Sequence, residues 1–410
     1  MFDYDVIILG GGLAYVGAEV LKNAGLKVAI VEREASHLGG VCLHEGCIPT
    51  KLYLFEARKV YELKNSALIS QEGLRLNLKA LREKKQRLTK GLRDQIEKLL
   101  KGVDFIYGYG ELVEPHVVQV EGKRISGRHI IINTGKSYPL EPNGNHLLDL
   151  EEVPPNLKLA GDDPIILEFA CMFALMGSSV ELYFDEGAVD FMHPSIKSKL
   201  TKMLKDLSIQ LRPLSEAQKD DFYWINKRLP NTQCLKVDLS KGERGHLLVD
   251  RKYETSLKDH YAVGDVNGIA ELAHAARLQA ISVALSLTKG KGFYTPSYKV
   301  PYVLYTQPLS YAKVGYTRKE IQEKGLEFRE KSVSFRAFAV GSIYHTEDGI
   351  AFLYFDRENF LIGAEVFGRD AGELISVLTV GIFSQLNLDM LLKTPLPHPT
   401  LSETLFLRLL

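Results

Sequence analysis

The first apolar run of the chain, residues 6–9 (Val-Ile-Ile-Leu), reads as a buried strand. Gly10, Gly11 and Gly12 follow, then helical spacing over residues 15–24, a second apolar run at 28–31 and an acid, Glu32, at its end. Together these make a βαβ unit. Its glycines let a pyrophosphate approach the helix N-terminus, and its acid can bind a ribose hydroxyl. Tyr15 stands where a third glycine would pack helix on strand, so Gly10 and Gly12 keep the phosphate-facing roles. Over residues 77–101, Leu78, Leu81, Leu88, Leu92, Ile96 and Leu99 recur at helical spacing, with Lys84, Lys85, Arg87, Lys90 and Arg93 on the other, solvated face. Strands are predicted at 103–107 and 130–133. A second βαβ pattern begins at 157–161 and reaches a strand at 180–183. A helix at 195–207 and a strand at 208–212 come next. Near the end, strands at 351–355 and 361–366 precede a helix from Ala371. Beyond the two βαβ units there is no internal repeat.

Composition narrows the class. At 410 residues, two or three domains are expected. Lys+Arg and Asp+Glu are equal at 51 each, which argues against nucleic acid or an anionic membrane as the main partner. No run reaches the roughly 18 apolar residues of a spanning helix. The first strand starts so early that no signal peptide precedes it, and a cytoplasmic setting is expected. Four cysteines are too few for a secreted disulfide scaffold. In a reducing compartment a cysteine pair is more often catalytic than structural.

Such a pair follows the first βαβ unit, in Gly39-Gly40-Val41-Cys42-Leu43-His44-Glu45-Gly46-Cys47-Ile48-Pro49-Thr50-Lys51. A dithiol beside a nucleotide site implies electron transfer between a cofactor and a disulfide, and a helix N-terminus would lower the thiolate pKa. Cys42, His44 and Cys47 could instead be three metal ligands, but no fourth ligand is near in sequence and no metal is expected. Cys171 and Cys234 read as packing residues.

This segment resembles the redox-active stretch of the pyridine nucleotide–disulfide oxidoreductases, nearest to dihydrolipoamide dehydrogenase. His398-Pro399-Thr400-Leu401-Ser402-Glu403 resembles the C-terminal HPTxxE motif of that family. The resemblance implies an α/β fold: a Rossmann-type FAD domain (1–150 and 250–295), an inserted, shortened NAD-domain-like βαβ unit (151–249) and a C-terminal α+β dimerisation domain (296–410). It implies FAD held by Gly10, Gly12, Glu32, Gly40, Lys51, Gly110, Thr134, Gly135, Gly264, Asp265 and Ala273. Cys42 would be the exposed thiol that exchanges with substrate, and Cys47 the thiol nearest the flavin. His398, from the partner subunit of a homodimer, would be the acid–base, oriented by Glu403; without the resemblance, His398 could simply cap a helix. Lys51 would pair with Glu168 near the flavin. The substrate would be a small or protein-bound dithiol or disulfide.

The second glycine turn departs from that pattern. It reads Gly161-Asp162-Asp163-Pro164-Ile165-Ile166-Leu167-Glu168, in which Asp163 and Ile166 fill two glycine positions. Asp163 followed by Pro164 is suited to N-cap and first helical position. The acid after the strand would be Asp185, one place late. The Gly-Arg-x-Pro-Asn motif of the family appears as Lys227-Arg228-Leu229-Pro230-Asn231, and the antiparallel strands inserted after the strand at 208–212 are expected to be missing. NAD binding is therefore doubtful. Two alternatives stay open: an oxidoreductase whose electron partner is not NAD(H), and a non-catalytic, FAD-stabilised binding or regulatory dimer.

Overall fold

A computed structural model describes residues 1–68, 73–218 and 221–407. In chain order the first elements are β1 (Tyr4–Leu9), α1 (Tyr15–Asn23), β2 (Val28–Glu32), α2 (Gly40–His44), α3 (Cys47–Lys64) and α4 (Leu78–Leu99). Five strands follow, β3 (Asp104–Tyr107), β4 (Gly110–Glu114), β5 (Val117–Val120), β6 (Lys123–Ile132) and β7 (Lys136–Ser137), then α5 (Gly144–Leu147). The middle of the chain forms β8 (Asn156–Gly161), α6 (Ile166–Met176), β9 (Ser179–Phe184), α7 (Pro194–Asp206), β10 (Gln210–Pro213), β11 (Tyr223–Trp224), β12 (Leu229–Pro230), β13 (His260–Ala262) and α8 (Ala273–Lys289). The last part holds β14 (Tyr302–Leu304), β15 (Ser310–Gly315), α9 (Arg318–Glu323), β16 (Arg329–Ser334), α10 (Ala339–Ile343), β17 (Ile350–Phe355), β18 (Leu361–Gly368), α11 (Ala371–Phe383), α12 (Leu388–Lys393) and α13 (Leu401–Thr404).

The chain divides into two compact units. The first comprises Met1–Thr50, Ala80–Pro139 and Lys227–Ser297; the second comprises Lys51–Lys79, Leu140–Asn226 and Tyr298–Leu410. The first is built on a seven-stranded sheet in the order β3-β2-β1-β6-β5-β4, with β13 also on β6. Strands β1, β2, β3 and β13 run parallel to their neighbours, whereas β4, β5 and the start of β6 form an antiparallel meander. The parallel strands are covered on both faces, which is why they read as unbroken apolar runs. Val6, Ile8, Ile30 and Ile131 enter one core with α1 and α8; Ile7, Leu9, Val31, Ile130 and Ile132 enter the other.

In the second unit, β10-β9-β8-β11 form a four-stranded parallel sheet beside the almost wholly buried α6. A separate five-stranded antiparallel sheet, β14-β15-β18-β17-β16, is backed by α11. Among the described residues, β11 follows β10 without intervening antiparallel strands. None of the described helices is long and apolar enough to cross a membrane.

Two expectations are corrected here. Lys85 is buried (8 % exposed), while Leu88 and Leu99 are 38 % and 41 % exposed. Four residues after Leu81 and seven after Leu78, Lys85 lies on their stripe and not on the solvated one. The helix of the second βαβ unit starts at Ile166, two residues later than Asp163-Pro164 suggests, although the Asp163 carboxylate does accept the Ile165 amide at 3.0 Å.

Candidate functional site

In the first unit the end of β1 turns at Gly10, whose φ of +105° is a conformation that side chains disfavour. A Cβ there would stand 2.4 Å from the carbonyl oxygen of Asn133, and one on Gly12 would stand 2.8 Å from Asn133 Oδ1. Asn133, just after β6, ties three loops together. Its backbone N–H donates to Leu9, its Oδ1 accepts the Ala14 amide, and its Nδ2 donates to the Val263 carbonyl. Gly264 and Gly40 come equally close: their Cβ atoms would lie 2.9 Å from Asn133 Nδ2 and from the Gly12 Cα. The Glu32 carboxylate accepts the Gly11 N–H at 2.6 Å. Among the described residues the amides of Gly12 and Leu13 make no hydrogen bond. A bare backbone cradle with two available N–H groups, an acid at its edge and a helix behind it fits the diphosphate and ribose of a dinucleotide. Tight packing of α1 is supplied not at Tyr15 but at Gly17, where a Cβ would be 2.8 Å from the Ala280 oxygen of α8.

Cys42 lies within α2, and Cys47 opens α3. The two thiols lie close enough to shift each other's titration. The neighbouring Cys42 thiol pulls Cys47 below the usual thiol range, helped by Cys47's own backbone N–H and by Arg228. Cys42 is pushed the opposite way, first by Cys47 and then by burial. The negative charge therefore belongs on Cys47, at the positive end of an 18-residue helix. Cys47 is exposed and Cys42 half-buried. Side chains tilt toward a helix N-terminus, so the first residue of α3 projects past its end, whereas Cys42 is enclosed within α2. His44 is occupied elsewhere, its Nε2 bonding the Leu38 carbonyl at 2.8 Å.

Lys51 and Glu168 both belong to the second unit and meet through Tyr305. The Lys51 ammonium stands 3.9 Å from the centroid of the Tyr305 ring, and the Tyr305 amide donates to Glu168 Oε1 at 2.8 Å. Burial lowers the Lys51 pKa, opposed by the charges of Asp370, Glu373 and Glu168. In the same unit, His398 Nδ1 bonds Glu403 Oε1 at 2.8 Å. Glu403 is buried at 9 % side-chain exposure, and the imidazole is 79 % exposed. A carboxylate can only accept, so the proton sits on Nδ1 and leaves Nε2 outward as a base. The Glu403 carboxylate also accepts the Thr400 amide, within the capping box that starts α13.

The remaining candidates serve the first unit. Thr134 Oγ1 donates to the Asn231 carbonyl at 2.6 Å and Asn231 Nδ2 returns a bond to the Thr134 carbonyl, holding the loop that contains Gly135, at φ +68°. Asp265 is raised by burial and has Arg228 3.9 Å away; Ala273 opens α8. Gly110 makes room for the Val31 and Leu9 side chains. Sequence reasoning missed Asn133 and Tyr305, and also Lys136, which is buried on Glu271 at 2.6 Å. Only Asn133 carried a signal, as the residue between a strand and Thr134-Gly135.

Comparison with known proteins agrees with this geometry. The profile described as pyridine nucleotide-disulphide oxidoreductase matches residues 4–221, and that family's dimerisation domain matches residues 300–407. Dihydrolipoamide dehydrogenase of Chaetomium thermophilum is 28% identical over 453 residues, covering 98% of this chain and 89% of the relative. Dihydrolipoyl dehydrogenase of Mycoplasma pneumoniae is 28% identical over 449 residues, covering 98% and 96%. Both alignments are longer than this chain, so those relatives carry segments it lacks. The fold matches the HOCl-induced flavoprotein disulfide reductase RclA of Escherichia coli (TM-score 0.86, 24% identity, 98% of both chains). It also matches LpdA of Mycobacterium tuberculosis (TM-score 0.88, 20% identity, 98% of both chains). With one profile spanning more than half of its length, this chain belongs to the pyridine nucleotide–disulphide oxidoreductases, a family of flavoprotein enzymes that bind FAD.

Proposed function

We propose that this protein moves two electrons between a dithiol or disulfide substrate of the dihydrolipoamide kind and FAD, through Cys42 and Cys47, as a cytoplasmic homodimer. The observation that carries the reading is the sulfur pair itself: a half-buried thiol close to a thiol of depressed pKa at a helix N-terminus. FAD would be held by the cradle of Gly10, Gly12, Glu32, Gly40 and Gly264, and when bound it supplies the two-electron acceptor and donor.

The residues supply the rest. His398 Nε2 takes the proton of a substrate thiol, and the resulting thiolate attacks the Cys42 sulfur of the oxidised pair. The Cys42–Cys47 bond breaks, and Cys47 departs as the more stable thiolate, as a low leaving-group pKa favours. The second substrate thiol then attacks the substrate sulfur of the mixed disulfide, releasing Cys42. Two electrons pass from substrate to the pair; one substrate proton stays on His398, the other goes to the released Cys42 sulfur, and Cys47 remains a thiolate. Glu403 holds the imidazole and stabilises its charged form. In this reading His398 and Glu403 come from the partner subunit, in keeping with the dimerisation domain.

The test is anaerobic reduction of the flavin-loaded protein with dihydrolipoamide, followed by absorbance. Reduction should produce a long-wavelength band that Cys47→Ser abolishes. A band that survives in that variant, or a protein that takes up no flavin, would overturn the reading.

A further inference from the structure

The family name implies a pyridine nucleotide, and the second βαβ unit is where the fold would hold it. Its residues do not fit. The two turns can be matched position by position, since each helix begins five residues after the first glycine, at Tyr15 and at Ile166. Gly161 repeats the close approach of Gly10: a Cβ there would stand 2.0 Å from the Ile225 oxygen, and one on Gly10 would stand 2.4 Å from the Asn133 oxygen. That crossing of strands explains why this glycine is present without any phosphate.

The three positions matching Gly12, Leu13 and Ala14 differ. Gly12 leaves its amide available; at the matching place the Asp163 amide donates to the Ile225 carbonyl at 3.3 Å. Leu13 leaves its amide available; Pro164 has none. Ala14 gives its amide to the Asn133 side chain, but Ile225 has no polar side chain, and the Asp163 carboxylate takes the Ile165 amide instead. From there on the two turns agree: the amides of Ile166, Leu167 and Glu168 bond the carbonyls of Asp163, Pro164 and Ile165, as those of Tyr15, Val16 and Gly17 bond Gly12, Leu13 and Ala14. The turn thus caps itself with its own carboxylate, on the spot a diphosphate would need.

The ribose end fails too. In the first unit Leu9 pairs with Val31, which puts Glu32 one step further, level with Gly10. In the second unit Gly161 pairs with Phe184, which is buried at 5 % exposure. Asp185, one residue later, caps its own turn by accepting the Gly187 amide at 2.9 Å.

We propose that the second βαβ unit takes no dinucleotide, so that NADH and NADPH do not reduce this protein through it. The inference stands on the second unit alone and does not depend on the roles given to Cys42 and Cys47. Two lost amides and a carboxylate in the phosphate position should weaken binding by about two decades relative to an open turn.

The test is calorimetric titration of the flavin-loaded, full-length protein with NADH, NADPH and ADP-ribose, with hydrogen exchange of the amides at 163–168 measured alongside. No saturable heat up to about 1 mM, and unchanged exchange at 163–168, is the expected result. Saturable binding in the micromolar range, or protection of those amides by any of the three ligands, would overturn the proposal. A dithiol titration of the same sample keeps the two readings apart. Failure of dithiols to reduce the flavin counts against Cys42–Cys47 chemistry, whereas nucleotide binding counts against the closed turn.

Discussion

Cys47 owes its low pKa chiefly to the neighbouring Cys42 thiol, so removing that thiol is the sharpest test of the pair. In the reduced protein, Cys42→Ala should move the Cys47 titration up toward the ordinary thiol value near 8.5, read by thiolate absorbance against pH. The sign of the stability effect follows from linkage. A depressed thiol pKa stabilises the folded state fully above about 8.5, and this contribution is lost as pH falls through the folded value of Cys47. Cys42 is shifted upward, and its effect begins only above about 8.5, where the unfolded chain would ionise first. Below that pH the melting temperature of reduced protein should therefore fall with acidification, and Cys47→Ser should flatten the slope. On the opposite side of the reaction, His398→Ala should lower dithiol turnover by about 10²–10⁴-fold, the usual worth of a general base. Glu403→Gln should cost less. It removes a charge that stabilises the imidazolium but leaves a carbonyl that can still accept from Nδ1.

Turns carry the binding site, and they are where a single methyl group matters most. Gly10→Ala would force φ +105° on a side chain and push it against the Asn133 carbonyl. A loss of roughly 1–3 kcal/mol in unfolding free energy is expected, together with loss of bound flavin, both measurable by denaturant titration and by absorbance. The strands leading into these turns were readable from the chain because parallel strands covered on both faces leave unbroken apolar runs, as at Val6 to Leu9. The cysteine segment and the His398–Glu403 spacing were readable because both are local. What could not be read is non-local. Lys85 is not such a case: its spacing from Leu78 and Leu81 is legible in the chain, and its charge outweighed it. Tyr305 lies 254 positions after Lys51 and reaches Glu168 only through its backbone amide, which no side-chain pattern reports. Asn133 shows the same limit, since its value lies in the loops it joins from Ala14 to Val263.

For the molecule as a whole, subunit sharing of the reaction has a direct test. Mixing Cys42→Ser with His398→Ala subunits should restore part of the activity, because each heterodimer rebuilds one complete set of Cys42, Cys47 and His398. Absence of complementation, with subunit exchange proven by mass spectrometry, would place all the groups in one chain. The self-capped turn at Asp163 has a consequence of another kind. An enzyme coupled to nicotinamide settles at a potential dictated by the nucleotide pool. With that route closed, the resting state of Cys42 and Cys47 follows the ambient ratio of thiol to disulfide, each tenfold change in the ratio moving the balance by about 30 mV. The protein then behaves as a gauge of thiol poise, oxidised or reduced according to its surroundings even while the cell's nucleotide pool holds steady.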